Sequence, residues 1–231
     1  MSVDTVSPDR PSARWPGALL IVTAALAMLA MAHHPTGSGG DPASMVGSIA
    51  AIGATARWVH ALLIVLMLLQ GWLLLEILLT SAGGRLNRLG MIAWSVGTLL
   101  MTGAALLSGF VAPAVAEQAL GGDAGAMGRA RDLLAFGHLL NQVLAQAGVA
   151  CWMAALAAWS LRLPARATLS GDRWLMVLAV YGVAVGLLTL AALASGQLRL
   201  DIHGMGLTLA LLSIWQIGIG GLTLTGRLKH G

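Results

Sequence analysis

The apolar run at residues 61–79 constrains the fold more than any other stretch of the chain. Its only strongly polar members are Gln70 and Glu76. About 20 apolar residues, at about 1.5 Å per residue, are enough to cross the hydrocarbon core of a bilayer, which is about 30 Å thick. The run therefore predicts a membrane span, and His60 stands directly before it.

Composition extends this prediction to the whole chain. Hydrophobic residues make up 58% and charged residues only 10%, whereas soluble domains carry about 25% charged residues. We therefore predict an all-α polytopic membrane protein with a six-helix transmembrane domain at residues 17–226, between tails at 1–16 and 227–231. The six predicted spans lie at about residues 17–32, 58–81, 89–111, 133–161, 174–195 and 202–225.

The positively charged residues predict the orientation. The tails and the loops after the second and fourth spans hold nine of the thirteen Lys and Arg residues: Arg10, Arg14, Arg85, Arg88, Arg162, Arg166, Arg173, Arg227 and Lys229. Cytoplasmic loops are enriched in these residues. We therefore expect a multi-pass protein of the cell inner membrane with cytoplasmic N- and C-termini. Orientation also accounts for the net charge of +4, so no nucleic-acid partner is expected.

A weak internal repeat predicts how the spans are grouped. The sequence AALLSG at residues 104–109 resembles AALASG at residues 191–196. Each odd-numbered span is followed by an outer loop and by an even-numbered span with a histidine near its start, which predicts three αα-hairpins. Common descent of the hairpins stays open, because Ala-Ala-Leu is frequent in alanine-rich spans.

Five histidines fall toward the outer ends of these spans. They are His33, His34, His60, His138 and His203. Imidazole is a frequent ligand of transition metals and of haem iron, so we predict a haem or metal site and choose His34, His60, His138 and His203 as its ligands. The alternative is a role at the membrane interface or in helix packing, since no two histidines show the four-residue spacing of ligands on one helix.

The fourth span carries the most polar interior. His138, Asn141, Gln142 and Gln146 follow one another at helical spacings, so they predict one polar stripe. Polar groups inside a membrane are costly unless they are paired. The stripe therefore predicts either the wall of a pocket for a ligand, quinone or ion, or a set of hydrogen bonds between helices.

Three further features carry weaker predictions. Glu76 lies near the inner end of the second span and could pair with a basic residue of the next turn. Asp201 precedes the sixth span and is predicted to cap it. Residues 30–32, Ala-Met-Ala, also fit the cleavage site of a secretory signal, an alternative to a retained first span. Four tryptophans fall near predicted span ends, as in an aromatic belt: Trp15, Trp58, Trp159 and Trp174.

Three functions follow from these features. The first is a non-enzymatic accessory or scaffold protein that contacts lipid and other membrane proteins, since the chain shows no recognisable catalytic constellation or soluble domain. The second is a redox protein that binds haem or a metal at the outer histidines. The third is a small-solute or ion transporter that uses the fourth span.

Overall fold

Six helices of the protein are long and apolar enough to cross a membrane. The computed structural model describes residues 14–37, 41–79 and 84–228, and all regular structure within these residues is helical. The predicted all-α, multi-pass architecture is confirmed at this level. The predicted tail residues 1–13 and 229–231 and the predicted end of the second span at 80–81 lie outside the described residues.

The membrane-spanning helices alternate with short helices at the ends of the bundle. In chain order the helices are α1 (Trp15–Ala32), α2 (Pro42–Ala51), α3 (Gly53–Leu79), α4 (Arg85–Leu106), a π-helical turn (Leu107–Val111), α5 (Ala112–Leu120), α6 (Ala124–Ser160), α7 (Leu163–Ser170), α8 (Arg173–Ala194) and α9 (Ile202–Leu224).

Two helix boundaries differ from the predicted spans. Helix α6 begins at Ala124, nine residues before the predicted start, because the carboxylate of Asp123 caps it by accepting from the backbone N–H of Ala126 at 2.7 Å. The third span was predicted to end before Pro113, but the chain stays helical through α5. Pro113 lies shortly after the π-helical turn Leu107–Val111, within a helix that continues from α4 into α5.

The six long helices form a closed ring of neighbours. Each contacts the next in the order α1, α3, α4, α6, α8, α9, and α9 returns to α1. At the contact of α1 with α9, two glycines let the backbones approach. A Cβ atom on Gly17 would lie 2.6 Å from the carbonyl oxygen of Gly220. This small-residue surface closes the ring.

Four buried tryptophans fill one part of the interior. The rings of Trp94 and Trp152 stack with centroids 5.4 Å apart, and those of Trp159 and Trp215 stack with centroids 6.0 Å apart. Trp159 is only 2% exposed, whereas it was predicted to lie in an aromatic belt. Gly90 permits this burial, because any side chain at residue 90 would contact the indole ring of Trp159.

The short helices α2 and α5 pack together over the end of the bundle where α1 ends and α3 begins. Val46 of α2 and Ala116 of α5 form a small apolar cluster with Ala130 of α6, separate from the main core. These helices stand above the bundle and enclose a space between themselves, α3 and α6.

Candidate functional site

The space beneath α2 and α5 is a cavity of about 710 Å³. Most of its wall is apolar, with Ile52, Leu107 and Val111 among the lining residues. The polar and charged side chains in the wall are those of His34, Asp41, His60, Ser108, Arg131, His138 and Asn141. Binding sites for small molecules are typically apolar cavities of about 300–1,000 Å³ with a few convergent polar groups. This cavity is therefore the candidate functional site.

Two histidines meet in this cavity. His34 follows the end of α1, and His60 lies in the second turn of α3 and is 4% exposed. Their Nε2 atoms are 3.1 Å apart. The two rings meet at an interplanar angle of 74° with centroids 4.7 Å apart. Residues that are 26 positions apart in the sequence thus direct the same ring nitrogen toward each other.

The backbone of α3 fixes which nitrogen His60 presents. Its Nδ1 atom lies 2.7 Å from the carbonyl oxygen of Ala56. A carbonyl oxygen can only accept, so Nδ1 carries the proton of the neutral ring and Nε2 carries a lone pair. A hydrogen bond from the ring nitrogen that does not bind the metal is the usual way in which a metal-binding histidine is oriented. His60 therefore presents the lone pair of Nε2 toward Nε2 of His34.

The π-helical turn supplies a third polar group. Ser108 places its hydroxyl oxygen 2.9 Å from Nε2 of His60 and 2.9 Å from the carbonyl oxygen of Ala104. The next residue, Gly109, lies directly against the imidazole of His60, and a Cβ atom there would be 2.8 Å from Nδ1. Single π-helical turns inside α-helices are frequent at functional sites. Here the turn brings Ser108 beside the histidine pair.

The geometry of the pair fits coordination of one metal ion. With metal–nitrogen bonds of about 2.0–2.1 Å, two imidazole nitrogens on one ion are about 2.9 Å apart at a right angle and about 3.4 Å apart at the tetrahedral angle. The observed 3.1 Å lies between these values and corresponds to an angle of about 100° at the ion.

The distance between the ring centroids tests the same idea independently. A collinear hydrogen bond with 3.1 Å between Nε2 atoms would place the centroids about 5.3 Å apart. Two rings that share an ion at about 100° would have centroids about 4.8 Å apart. The observed distance is 4.7 Å, so the contact is bent rather than collinear and is compatible with two rings that share an ion.

The pair does not fit a haem held from both sides. Two axial histidines lie on opposite faces of the porphyrin, with about 4 Å between their ligating nitrogens. The separation of 3.1 Å between His34 and His60 leaves no room for a macrocycle between them. His34 and His60 therefore do not lie on opposite faces of one haem in this geometry.

His34 is electrically neutral at pH 7. Burial is the largest cause that lowers its pKa, and the nearby imidazole of His60 lowers it further, from 6.5 to about 4. Only the neutral imidazole can donate a lone pair to a metal. A neutral His34 is the form that the proposed site requires.

The protein ligands at this point number two rather than three or four. Among the described residues, no three His, Cys, Asp or Glu side chains come together closely enough to hold a metal ion. A closed structural zinc site uses four protein ligands. The pair would therefore leave coordination positions open, toward Ser108 and the cavity.

The remaining predicted site residues lie in different places. His138 and Asn141 line the cavity on the α6 side. Gln142 lies outside it and donates through Nε2 to the carbonyl oxygen of Leu200 at 3.4 Å. Gln146 is exposed, and His203 is exposed at the start of α9, where Asp201 caps the helix by accepting from the backbone N–H of His203 at 3.0 Å.

Two polar features were not predicted from the sequence. Ser108 was not singled out, because its role depends on the π-helical turn. In the bundle interior, Nε2 of Gln216 donates to Oε1 of Gln70 at 3.3 Å, and both residues are buried. One indication of this pair was present in the sequence, because Gln70 and Gln216 each stand within a long apolar run. Glu76 is exposed on the outside of α3.

No protein-family model, curated protein sequence or solved structure matches the chain. The function is therefore argued from the site alone.

Proposed function

We propose that this chain is a multi-pass membrane protein that binds a transition-metal ion between His34 and His60. The observation that carries the proposal is the approach of the two Nε2 atoms to 3.1 Å with ring centroids 4.7 Å apart. The hydrogen bond from Nδ1 of His60 to Ala56, at 2.7 Å, supports it by holding the ligand nitrogen toward the cavity.

The membrane setting of this site is part of the proposal. The ring, in which each span contacts the next span along the chain, is compatible with three antiparallel hairpins. The excess of Lys and Arg in the tails and in the loops after the second and fourth spans supports cytoplasmic termini. The histidine pair would then face the outer side of the cell inner membrane. A metal ion would be taken up from that side.

A metal ion bound by only two protein ligands would keep open coordination positions, and these determine what chemistry the site supports. An ion held by two protein ligands exchanges more readily than one in a closed site, and it leaves positions for water or another ligand. The cavity of about 710 Å³ is far larger than an ion and is mostly apolar. The arrangement therefore supports a metal-handling or redox role in which a small organic molecule also enters the cavity.

Metal binding by matched variants tests the proposal. Detergent-purified protein is stripped with a chelator and titrated with Cu, Zn, Ni or Fe ions, and the bound metal is measured by elemental analysis. We expect about one equivalent in the wild type, and binding at least about tenfold weaker in His34→Ala and His60→Ala. His203→Ala is the control, because His203 is exposed and lies outside the cavity wall.

Two results would contradict the proposal. One is a wild-type protein that remains folded and binds none of these ions. The other is a loss of metal in His203→Ala that equals the loss in His60→Ala.

The accessory or scaffold role ranks second, and transport ranks third. A scaffold has no use for a cavity with converging imidazoles, although the large lipid-facing apolar surface suits contacts with other membrane proteins. Transport would use the cavity as a binding site on a path across the membrane. The tryptophan cluster fills the bundle interior, which does not favour such a path.

A further inference from the structure

One face of α6 forms a continuous part of the cavity wall. Arg131, Leu134, His138 and Asn141 all line the cavity, and they follow one another at spacings of three and four residues. Such spacings place residues on one side of a helix. At about 1.5 Å per residue, Arg131 and Asn141 lie about 15 Å apart along α6. This face therefore carries a guanidinium group at one end and an amide at the other.

Arg131 forms no salt bridge within the part of the chain that the structure describes. The acids of the neighbouring helices have other partners. Glu117 of α5 pairs with Arg57 at 2.6 Å. Asp123, directly before α6, pairs with Arg129 at 3.7 Å. The guanidinium group of Arg131 is always charged and has five N–H donors, so it can bind an anion that enters the cavity.

Asp41 is the acidic residue of the cavity wall, and its carboxylate serves α2. Its Oδ1 atom caps this helix by accepting from the backbone N–H groups of Ala43 at 2.9 Å and Ser44 at 3.1 Å. The N-terminus of a helix carries a partial positive charge, which a carboxylate at this position offsets. Asp41 therefore leaves the charge of Arg131 uncompensated.

The rest of the wall suits a hydrocarbon chain. Ile52, Leu107, Val111 and Leu133 line the cavity, and a chain can contact these side chains without leaving a polar group unpaired. The volume of about 710 Å³ is sufficient for a small organic molecule. A cation beside an apolar space matches a ligand that has a negative charge at one end and a chain at the other.

We propose that this cavity binds an apolar carboxylic acid, with its carboxylate on Arg131 and its hydrocarbon chain among the apolar side chains of the wall. One guanidinium group balances one negative charge and can bind both oxygens of a carboxylate. The inference deepens the proposed function, which gives the cavity a small organic occupant. It rests on that part of the proposed function and not on the metal ion.

Three ligands with the same chain isolate the effect of charge. At neutral pH decanoate is anionic, decanol is neutral and decylammonium is cationic. Their affinities for the purified protein are measured by titration calorimetry at one fixed concentration of a nonionic detergent. Because Arg131 is exposed, we expect decanoate to bind only about threefold or more tighter than decanol, with decylammonium the weakest. Equal binding of decanoate and decanol would overturn the inference.

A matched pair of arginine variants tests which cation is responsible. Arg131→Gln should bring the ratio of decanoate affinity to decanol affinity to about 1, and high salt should reduce the wild-type ratio. Arg129→Gln is the control, because Arg129 lies on the same helix but pairs with Asp123 and is outside the described cavity wall. A wild-type ratio that persists in Arg131→Gln would refute the assignment.

Filling the cavity tests where the chain lies. Gly137 lines the cavity, and a Cβ atom there meets no heavy atom within 4 Å. Gly137→Leu should therefore fold, and its side chain should weaken the binding of all three ligands at least about tenfold by occupying the space. Gly128→Leu is the control, since residue 128 also has open space around it but lies outside the described wall.

The remaining outcomes separate this inference from the metal site. Unchanged binding in Gly137→Leu would place the ligands elsewhere and overturn the inference. Failure of all three ligands to bind would overturn it together with the organic occupant of the proposed function. The metal ion would not be affected by that result, because His34→Ala and His60→Ala test it separately.

Discussion

Replacing Gly109 with alanine should displace His60 and weaken the site. A Cβ atom at residue 109 would contact the Cβ atom of His60 and lie 2.5 Å from its Cγ atom, where ordinary contact begins at 3.4 Å. The shortfall is about 0.9 Å, and it falls on ring and Cβ atoms close to the backbone of α3. His60 cannot avoid it by rotating a flexible end, so the imidazole must move away.

The magnitude follows from two opposing effects. Overpacking a buried position costs about 1–3 kcal/mol, and replacing glycine with alanine inside a helix returns up to about 1 kcal/mol. We therefore expect Gly109→Ala to lower the free energy of unfolding by about 1–2 kcal/mol. A shift of about 0.9 Å also removes the convergence of the two Nε2 atoms, so metal affinity should fall at least about tenfold.

Gly128 of α6 provides the matched control. A Cβ atom there meets no heavy atom within 4 Å, so Gly128→Ala should leave stability unchanged or raise it by up to about 1 kcal/mol. Both variants are compared by denaturant unfolding in detergent and by metal titration. If Gly109→Ala matches Gly128→Ala in both measurements, the close packing of Gly109 against His60 does not hold the imidazole in place.

Three further predictions concern contacts that stabilise the helices: an amide pair, an ion pair and a helix cap. Gln216→Leu removes the partner of Gln70 and should lower the free energy of unfolding by about 1–2 kcal/mol in equilibrium unfolding, with most of this recovered in the double Leu variant. Glu117→Gln, which removes the ion pair with Arg57, should cost no more than about 1 kcal/mol, and a cost that persists in high salt would refute its electrostatic origin. The backbone N–H of Gly204 lowers the pKa of Asp201 below 3.8, so this cap is intact at neutral pH and is lost as the pH falls through the lowered pKa. Thermal unfolding from about pH 6 to 3 should therefore show a steeper loss of stability in the wild type than in Asp201→Asn.

The sequence predicts the six membrane helices because length and hydropathy are sufficient for this purpose. It also places His60 and His203 within about the first two turns of their helices, whereas His138 lies about four turns into α6 because that helix begins at Ala124. Depth along a helix follows from counting residues at about 1.5 Å each. The side of the helix on which a residue lies depends on which neighbours surround it. His138 and His203 were both predicted near the starts of their spans, but His138 lies deeper in α6 and lines the cavity, whereas His203 is at the start of α9 and does not.

Local backbone geometry explains what the sequence does not reveal about the site. A helix predicted to stop before Pro113 contains a π-helical turn and then continues as α5. That turn presents Ser108 and Gly109 to His60, and no hydropathy pattern marks it. Similarly, the stripe of His138, Asn141, Gln142 and Gln146 is divided between the cavity, a loop carbonyl and the exposed surface.

The packing of α4 against α6 supports part of the cavity wall. This contact is the most extensive between helices. It includes an approach of the two backbones at which a Cβ atom on Gly97 would lie 2.8 Å from the carbonyl oxygen of Gly148. The stacked rings of Trp94 and Trp152 join the same two helices.

Two parts of the cavity wall continue from this pair of helices, and the other parts come from α2, α3, α5 and the residues after α1. The π-helical turn that carries Ser108 continues α4, and His138 lies on α6. Because close-packed interiors resist deformation, this pair of helices fixes the positions of Ser108 and His138 on the cavity wall. His34 follows α1 and His60 lies on α3, so the separation of their imidazoles depends on the packing of α1 against α3. On the proposed function, that packing brings the two imidazoles together and reduces the ordering cost of binding.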